Sequence, residues 1–404
     1  MEFNDNSIKN TLQNILTLRY DPSQQTALPN LTWQDFSPKY SCNDINIEDT
    51  VKSYIEDHVT PKTNSIGIAL SGGIDSTFVL QSIKQFCPEI KINAFSIRFS
   101  NSTDETTIAA KIADFYDVEH QIIDIENYLQ DLPTAIGITK LPFWDIHWFY
   151  VAQEAQKKSK YLASGDGGDE LFGGYTFRYK KFLSLINPNS SPKDKVVAYL
   201  QCHERDHVLD QHKIFGKNIF FSWDNFYEIL KPYFDNNLSP LDQLFLADYN
   251  GKLLYNFSIV NNSINQKFDI KSITPILNDS FLKSIPHLIN SEKYDPKNNL
   301  GKLPLRRILK KSNVYKLLTQ EKLGFSVNTQ NLWKNYGQKI CSYFLSNPEI
   351  SKVDLIDSDW IQNYLHKDDL DIRIVNKLLG ILACEIWYRI FITKTMNSSE
   401  KLVF

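Results

Sequence analysis

The chain has 404 residues and a net charge of -3, with 42% apolar and 23% charged residues. That balance excludes a disordered or fibrous polymer and leaves enough material for the cores of two domains. It carries no overall basic bias, so nucleic acid is not an expected partner and a small-molecule substrate is.

The opening Met1-Glu2-Phe3-Asn4-Asp5-Asn6 lacks the basic stretch and apolar core of a signal peptide. No later apolar run reaches membrane-spanning length, so a cytoplasmic protein is expected. Residues 1–60 read as an N-terminal extension. Ser65-Ile66-Gly67-Ile68-Ala69-Leu70 is a short apolar run of buried-strand type, and Thr77-Phe78-Val79-Leu80-Gln81-Ser82-Ile83 has helical spacing. Between them lies Ser71-Gly72-Gly73-Ile74-Asp75-Ser76. Glycines let a ligand approach the backbone, and the opening amides and dipole of the following helix favour an anion. Phosphate is the expected guest. Asp75 would repel it without an intervening cation, which argues for Mg2+ carried with a nucleotide. The Walker A motif is excluded because Asp75-Ser76 stands where Lys-Ser/Thr is needed, and the Rossmann fingerprint because its third glycine is missing.

Further β-like runs fall at about 92–97, 121–125 and 161–163, and helical ones at about 76–86, 104–116 and 147–159. The alternation predicts an α/β fold, a parallel sheet with helices on both faces, over about 62–180. Tyr161-Leu162-Ala163 leads into a second glycine- and aspartate-rich stretch, Ser164-Gly165-Asp166-Gly167-Gly168-Asp169. Ligands of such sheets bind beyond the carboxyl ends of the strands, so the two loops are expected to share one site. An EF-hand loop is excluded by the missing pattern of oxygen ligands. From about 181 onward helical periodicity dominates, broken by joints such as Asn187-Pro188-Asn189-Ser190-Ser191-Pro192, and a mostly helical C-terminal region is expected. Cys202-His203-Glu204-Arg205-Asp206, with His207 and His212, is the one local cluster of soft-metal ligands, and its charge reads as a solvated helix. The odd, scattered Cys42, Cys87, Cys202, Cys341 and Cys384 exclude a disulfide framework. Leu378, Leu379, Leu382, Ile386, Trp387 and Ile390 form a stripe that packs a helix on the core.

The first loop resembles the Ser-Gly-Gly-x-Asp-Ser loop of the ATP pyrophosphatases, enzymes that cleave ATP between its α and β phosphates. The second, continued as Glu170-Leu171-Phe172-Gly173-Gly174-Tyr175, closely resembles the second signature of the synthetase domain of asparagine synthetases. Weaker likenesses follow in family order: Asp104-Glu105, Val118-Glu119-His120-Gln121, Gly301-Lys302-Leu303-Pro304-Leu305-Arg306, Lys322-Leu323-Gly324-Phe325-Ser326-Val327 with Trp333, and the terminal Leu378–Arg389 segment. The resemblance spans roughly 60–395 and implies a domain over 61–395, its α/β part about 62–180 and its helical part about 181–395. No glutaminase domain fits ahead of the first loop, and Asn14–Tyr20 faintly resembles the connector that follows one. Lys271-Ser272-Ile273-Thr274-Pro275-Ile276-Leu277-Asn278 replaces both charged residues that the family places before the proline. Leu141-Pro142-Phe143 stands for its Glu-Pro-Phe, and Arg98 for one of its glycines. These departures put aspartate in doubt as the substrate.

The resemblance implies an ATP-dependent ligase that adenylates a carboxylate and passes the acyl group to ammonia or an amine. Asp75 and Asp169 are the implied Mg2+ ligands. Ser71, Gly72, Gly73, Ile74, Ser76, Ser164 and Gly165 would cradle ATP, and Lys302 would stabilise the reacting phosphate and carbonyl. Asp166 would orient or deprotonate the amine, and Glu105 would lie near the nucleotide. Expected partners are a small carboxylate, an amine donor and a separate glutaminase or biosynthetic chain, with a homodimer as a further option. Intramolecular lactam closure, as in the related β-lactam synthetases, a tRNA-modifying enzyme and a degenerate interaction protein are the alternatives.

Overall fold

Short apolar segments separated by helices bury themselves most simply as a parallel sheet covered on both faces. In the computed structural model β1 (Ser65–Ala69), β2 (Lys91–Phe99), β3 (Glu119–Ile125), β4 (Tyr161–Ala163) and β5 (Lys271–Ile273) form one sheet in the order β3-β2-β1-β4-β5. All four pairings are parallel. The structure describes the chain apart from residues 1–3, 61–62, 101, 103, 204–205, 209, 319–326, 368 and 404.

The helices that position the site are α1 (Asp5–Leu18), α2 (Ile47–His58), α3 (Ile74–Phe86), α4 (Thr106–Phe115), α5 (Leu132–Thr139), α6 (His147–Ala155) and α7 (Gly168–Phe172). Side chains alternate across a strand, so each face of the sheet builds its own core. Ile66, Ile68, Leu70, Ile92 and Ala94 pack with α2, α3 and α4. Ala69, Phe95, Ile97 and Phe99 pack with α5, α6 and the terminal helix Ile372–Phe391. The same second core takes Ile8, Leu12, Ile15 and Leu16 of α1.

Several expectations shift. The helix expected at about 104–116 spans Thr106–Phe115, because the Asp104 carboxylate accepts from the Thr106 amide at 2.9 Å and turns the chain just ahead of it. The helix expected to run to 159 ends at Ala155. β5 falls inside the region expected to be helical; three residues cannot display a period, and the strand is held by partners remote in sequence. The terminal helix is buried on every side from Val375 to Tyr388, Asn376, Lys377 and Glu385 included, so it is a central rod and not a half-exposed stripe. Among the described residues of this cluster, Cys202, His203 and Asp206 lie outside any helix. The helix before it ends at Gln201, Cys202 and Asp206 are buried, and Asp206 pairs with Arg19 and Lys252. Among the described residues no group of three or more metal-ligating side chains converges, and no helix is long and apolar enough to cross a membrane.

Candidate functional site

Ile68 of β1 pairs with Ala94 of β2 on one side and with Ala163 of β4 on the other. From β1 the chain moves outward to β2 and β3, then returns across β1 to start β4. Strand order therefore reverses between β1 and β4, the place where open α/β sheets take their ligands. The loops after β1 and β4 leave the sheet side by side. They open into one cleft of about 690 Å³, lined by Ser71, Gly72, Gly73, Ile74, Asp75, Ser76, Ser164, Gly165, Asp166, Asp169 and Lys302. Every site residue singled out in the sequence is brought together here, and Glu105 joins them.

The first loop is tied internally. Ser71 N–H donates to Ser76 Oγ at 3.1 Å, and Gly73 N–H donates to Ser71 Oγ at 3.2 Å. The serine hydroxyls and the Gly73 amide, expected to face phosphate, thus hold the loop's own shape. Gly73 opens α3 with no side-chain cap, so the helix start faces the cleft without a capping side chain.

Lys302 joins the loops. Its Nζ bonds Asp75 Oδ2 and lies 2.7 Å from Asp169 Oδ1. The lysine is buried, and its backbone adopts φ 58°, an uncommon conformation for a residue with a side chain. Its amide donates to Phe172 O at 2.9 Å, and the helix Leu303–Leu309 starts directly after it with proline in the first turn. Burial pulls the Lys302 pKa down, but Asp169 and Asp75 more than reverse that, so it stays a cation far above neutral pH. The second loop reaches this close because it lacks side chains: a Cβ on Gly168 would lie 2.3 Å from Asp75 Oδ1, and one on Gly174 would lie 1.9 Å from Asp169 Oδ1.

Asp166 lines the same cleft. Its Oδ2 accepts from Ser164 Oγ at 2.9 Å and Asn261 Nδ2 at 3.0 Å. Burial raises its pKa, partly offset by those two donors and by His147. The wall continues through Phe143, Asp145, His147 and Trp148 before and within α6, and through Leu253, Asn256 and Phe257. These last three belong to a π-helical stretch, Tyr249–Phe257, kinked at Gly251, an irregularity that recurs at functional sites. Asp145, His147, Asn256 and Asn261 are not among the residues the sequence singles out. Asp145 and His147 follow Leu141-Pro142-Phe143 closely enough to be found by reading on, whereas nothing local marks Asn256 or Asn261. Lys322–Ser326 lies outside the described residues.

The donor set fits magnesium. Mg2+ takes oxygen ligands and is commonly held by one or two carboxylates together with substrate phosphates. Asp75 and Asp169 offer two carboxylates that already converge on one cation, beside an uncapped helix start.

A parallel sheet whose strand order reverses between β1 and β4, with a glycine–aspartate loop on each side of that point, defines an open α/β protein with its cleft at the switch point. The chain belongs to the asparagine synthase family, whose family model matches residues 47–389. It is 37% identical over 126 residues to "Asparagine synthetase [glutamine-hydrolyzing] 1" of Bacillus subtilis, covering 30% of this chain and 20% of that protein. It is 32% identical over 166 residues to a putative asparagine synthetase of Mycobacterium tuberculosis, covering 39% of this chain and 25% of the relative. These matches span about a quarter or less of the relatives' length. Among solved structures, an NMN synthetase from Francisella tularensis aligns at 16% identity and TM-score 0.27, over 52% of this chain and 94% of that one. An ammonia-dependent NAD synthetase from Campylobacter jejuni aligns at 14% and 0.22, over 45% and 90%. Likeness that loose carries no argument, and the fold rests on the sheet itself.

Proposed function

We propose that this protein is an ATP-dependent amide-forming ligase, which adenylates a small carboxylate with release of pyrophosphate and then passes the acyl group to ammonia or an amine with release of AMP. The observation that carries this reading is the buried Lys302 clasped by one aspartate from each glycine loop.

A carboxylate oxygen attacking the α-phosphorus piles negative charge on the phosphate and on the departing pyrophosphate. Lys302 is a fixed, water-shielded cation beside that charge, and the start of α3 adds aligned amides. Donors of this kind contribute on the order of 3–4 kcal/mol each to such transition states. Asp75 and Asp169 would hold magnesium, which supplies further positive charge to the leaving pyrophosphate. In the second half-reaction the amine attacks the acyl carbon, the acyl–phosphate bond breaks, and a proton leaves the nitrogen. Asp166, held by Ser164 and Asn261 in the same cleft, orients the amine and takes that proton.

Pyrophosphate release from Mg-ATP across a panel of carboxylates, with ammonium, glutamine or no added amine, tests the reading. Release that requires a carboxylate, with AMP as the other product, is expected. A cyclic amide formed from the substrate itself, with no added amine, identifies intramolecular closure, and ADP formation or silence across the panel overturns the proposal.

A further inference from the structure

Arg19 lies ahead of the region that the family model matches, yet it holds two separate parts of the cleft wall. It ends α1 in the left-handed conformation, φ 63°. That turn points its carbonyl and its side chain to different places. The carbonyl accepts from Asn256 Nδ2 at 2.7 Å. The guanidinium bonds Asp145 Oδ2 with one nitrogen and donates to Asp206 Oδ1 at 3.0 Å with the other, while its carbon lies 4.4 Å from the centre of the Trp144 ring. Asn256 and Asp145 both line the cleft, Asn256 five residues ahead of Asn261, which bonds Asp166. Asp206 is itself fixed by Lys252 at 3.1 Å, so the fork is anchored from behind. Next door, Tyr20 stacks on Tyr255 at 6.0 Å, and its ring would be 3.4 Å from a Cβ at the Gly251 kink.

We infer that Arg19 is a positioning residue for the acceptor half of the cleft: it holds Asp145, just ahead of α6, and Asn256, within the π-helical stretch, and so fixes the surface that receives the carboxylate and amine. A planar fork suits this task because it bonds two carboxylates in set directions, which the single ammonium of lysine does not. The inference rests on the ligase reading for its kinetic arm only.

The test compares the full chain with Arg19→Lys and Arg19→Met by hydrogen exchange and mass spectrometry, alongside calorimetric binding of Mg-ATP. In Arg19→Met, protection is expected to fall in residues 143–149 and 249–257, while 71–76 and 164–169 exchange as in the parent and Mg-ATP affinity is unchanged. In the pyrophosphate assay KM for the carboxylate or amine should rise by on the order of tenfold to a hundredfold, the scale that misplacement of a positioning group by about 1 Å produces, with KM for ATP unmoved. Arg19→Lys keeps the buried charge and should recover part of both effects. Unaltered exchange in the two wall segments overturns the inference. So does loss of protection throughout the chain in both variants, which marks a general structural role. If the parent releases no pyrophosphate on any carboxylate, the ligase reading fails while the exchange pattern still decides Arg19.

Discussion

Lys302 combines a left-handed backbone, a buried ammonium and two carboxylate partners, a combination that costs backbone strain of about 1–3 kcal/mol and persists only where the surroundings impose it. Its raised pKa means that its stabilising contribution is fully present below the ordinary value of 10.5 and is lost only as pH rises through the higher folded value. Lys302→Met should therefore show its whole penalty at neutral pH, about 3–5 kcal/mol, since two carboxylates lose their buried partner. Mg2+ without nucleotide should raise the melting temperature of this variant more than that of the parent. Equal shifts would mean that Asp75 and Asp169 do not bind the metal. Asp166 runs the other way. Burial raises its pKa above 3.8, so relative to the unfolded chain it favours folding below that value and loses this advantage as pH rises through the folded pKa. Asp166→Asn should thus be as stable as the parent or more so at neutral pH, the difference shrinking on acidification, while amide formation falls. A variant less stable at neutral pH than at acid pH, relative to the parent, would contradict this account. The identity of Asp75, Asp166, Asp169 and Lys302 as candidates is legible from their motifs. Which of them touch is not, because Lys302 is 227 positions from Asp75.

At the scale of elements, the two glycine loops are the most legible feature, since each couples a strand end to a helix start by local chemistry alone. The division of labour within them is set by packing. Gly168 opens α7 with helical geometry, so alanine there gains a propensity of about 0.5–1 kcal/mol. Its Cβ would nevertheless meet Asp75 Oδ1 at 2.3 Å. Gly168→Ala should accordingly unfold near the parent's temperature while kcat/KM for pyrophosphate release falls by on the order of a hundredfold, the size of effect a misplaced group of this kind produces. Retained activity would show that Asp75 tolerates displacement. The π-helical stretch Tyr249–Phe257 is illegible by contrast: its residues read as ordinary helix, and the kinked Gly251 lies beside Tyr20, far away in the sequence.

At the scale of the molecule, α1 is part of the main core. Leu12 is fully buried in the core that also holds Leu16, Leu378 and Leu382. Leu12→Ala should cost about 2–5 kcal/mol in denaturant unfolding, the range for a leucine truncated in a packed core. A much smaller loss would mean that α1 is peripheral, and with it Arg19's hold on the cleft. What the sequence determined by itself is whatever local interactions encode: the strand–loop–helix units, the glycine- and aspartate-rich make-up of both loops, the parallel α/β class and the family. Tertiary structure alone decided the reversal of strand order that seats the loops side by side, the edge strand β5, the central burial of the terminal helix and the clasp of Lys302 and Arg19. These depend on contacts between residues remote in the chain, whose closure is rewarded only when many apolar and ionic groups are buried together, so no single window of sequence carries their signal.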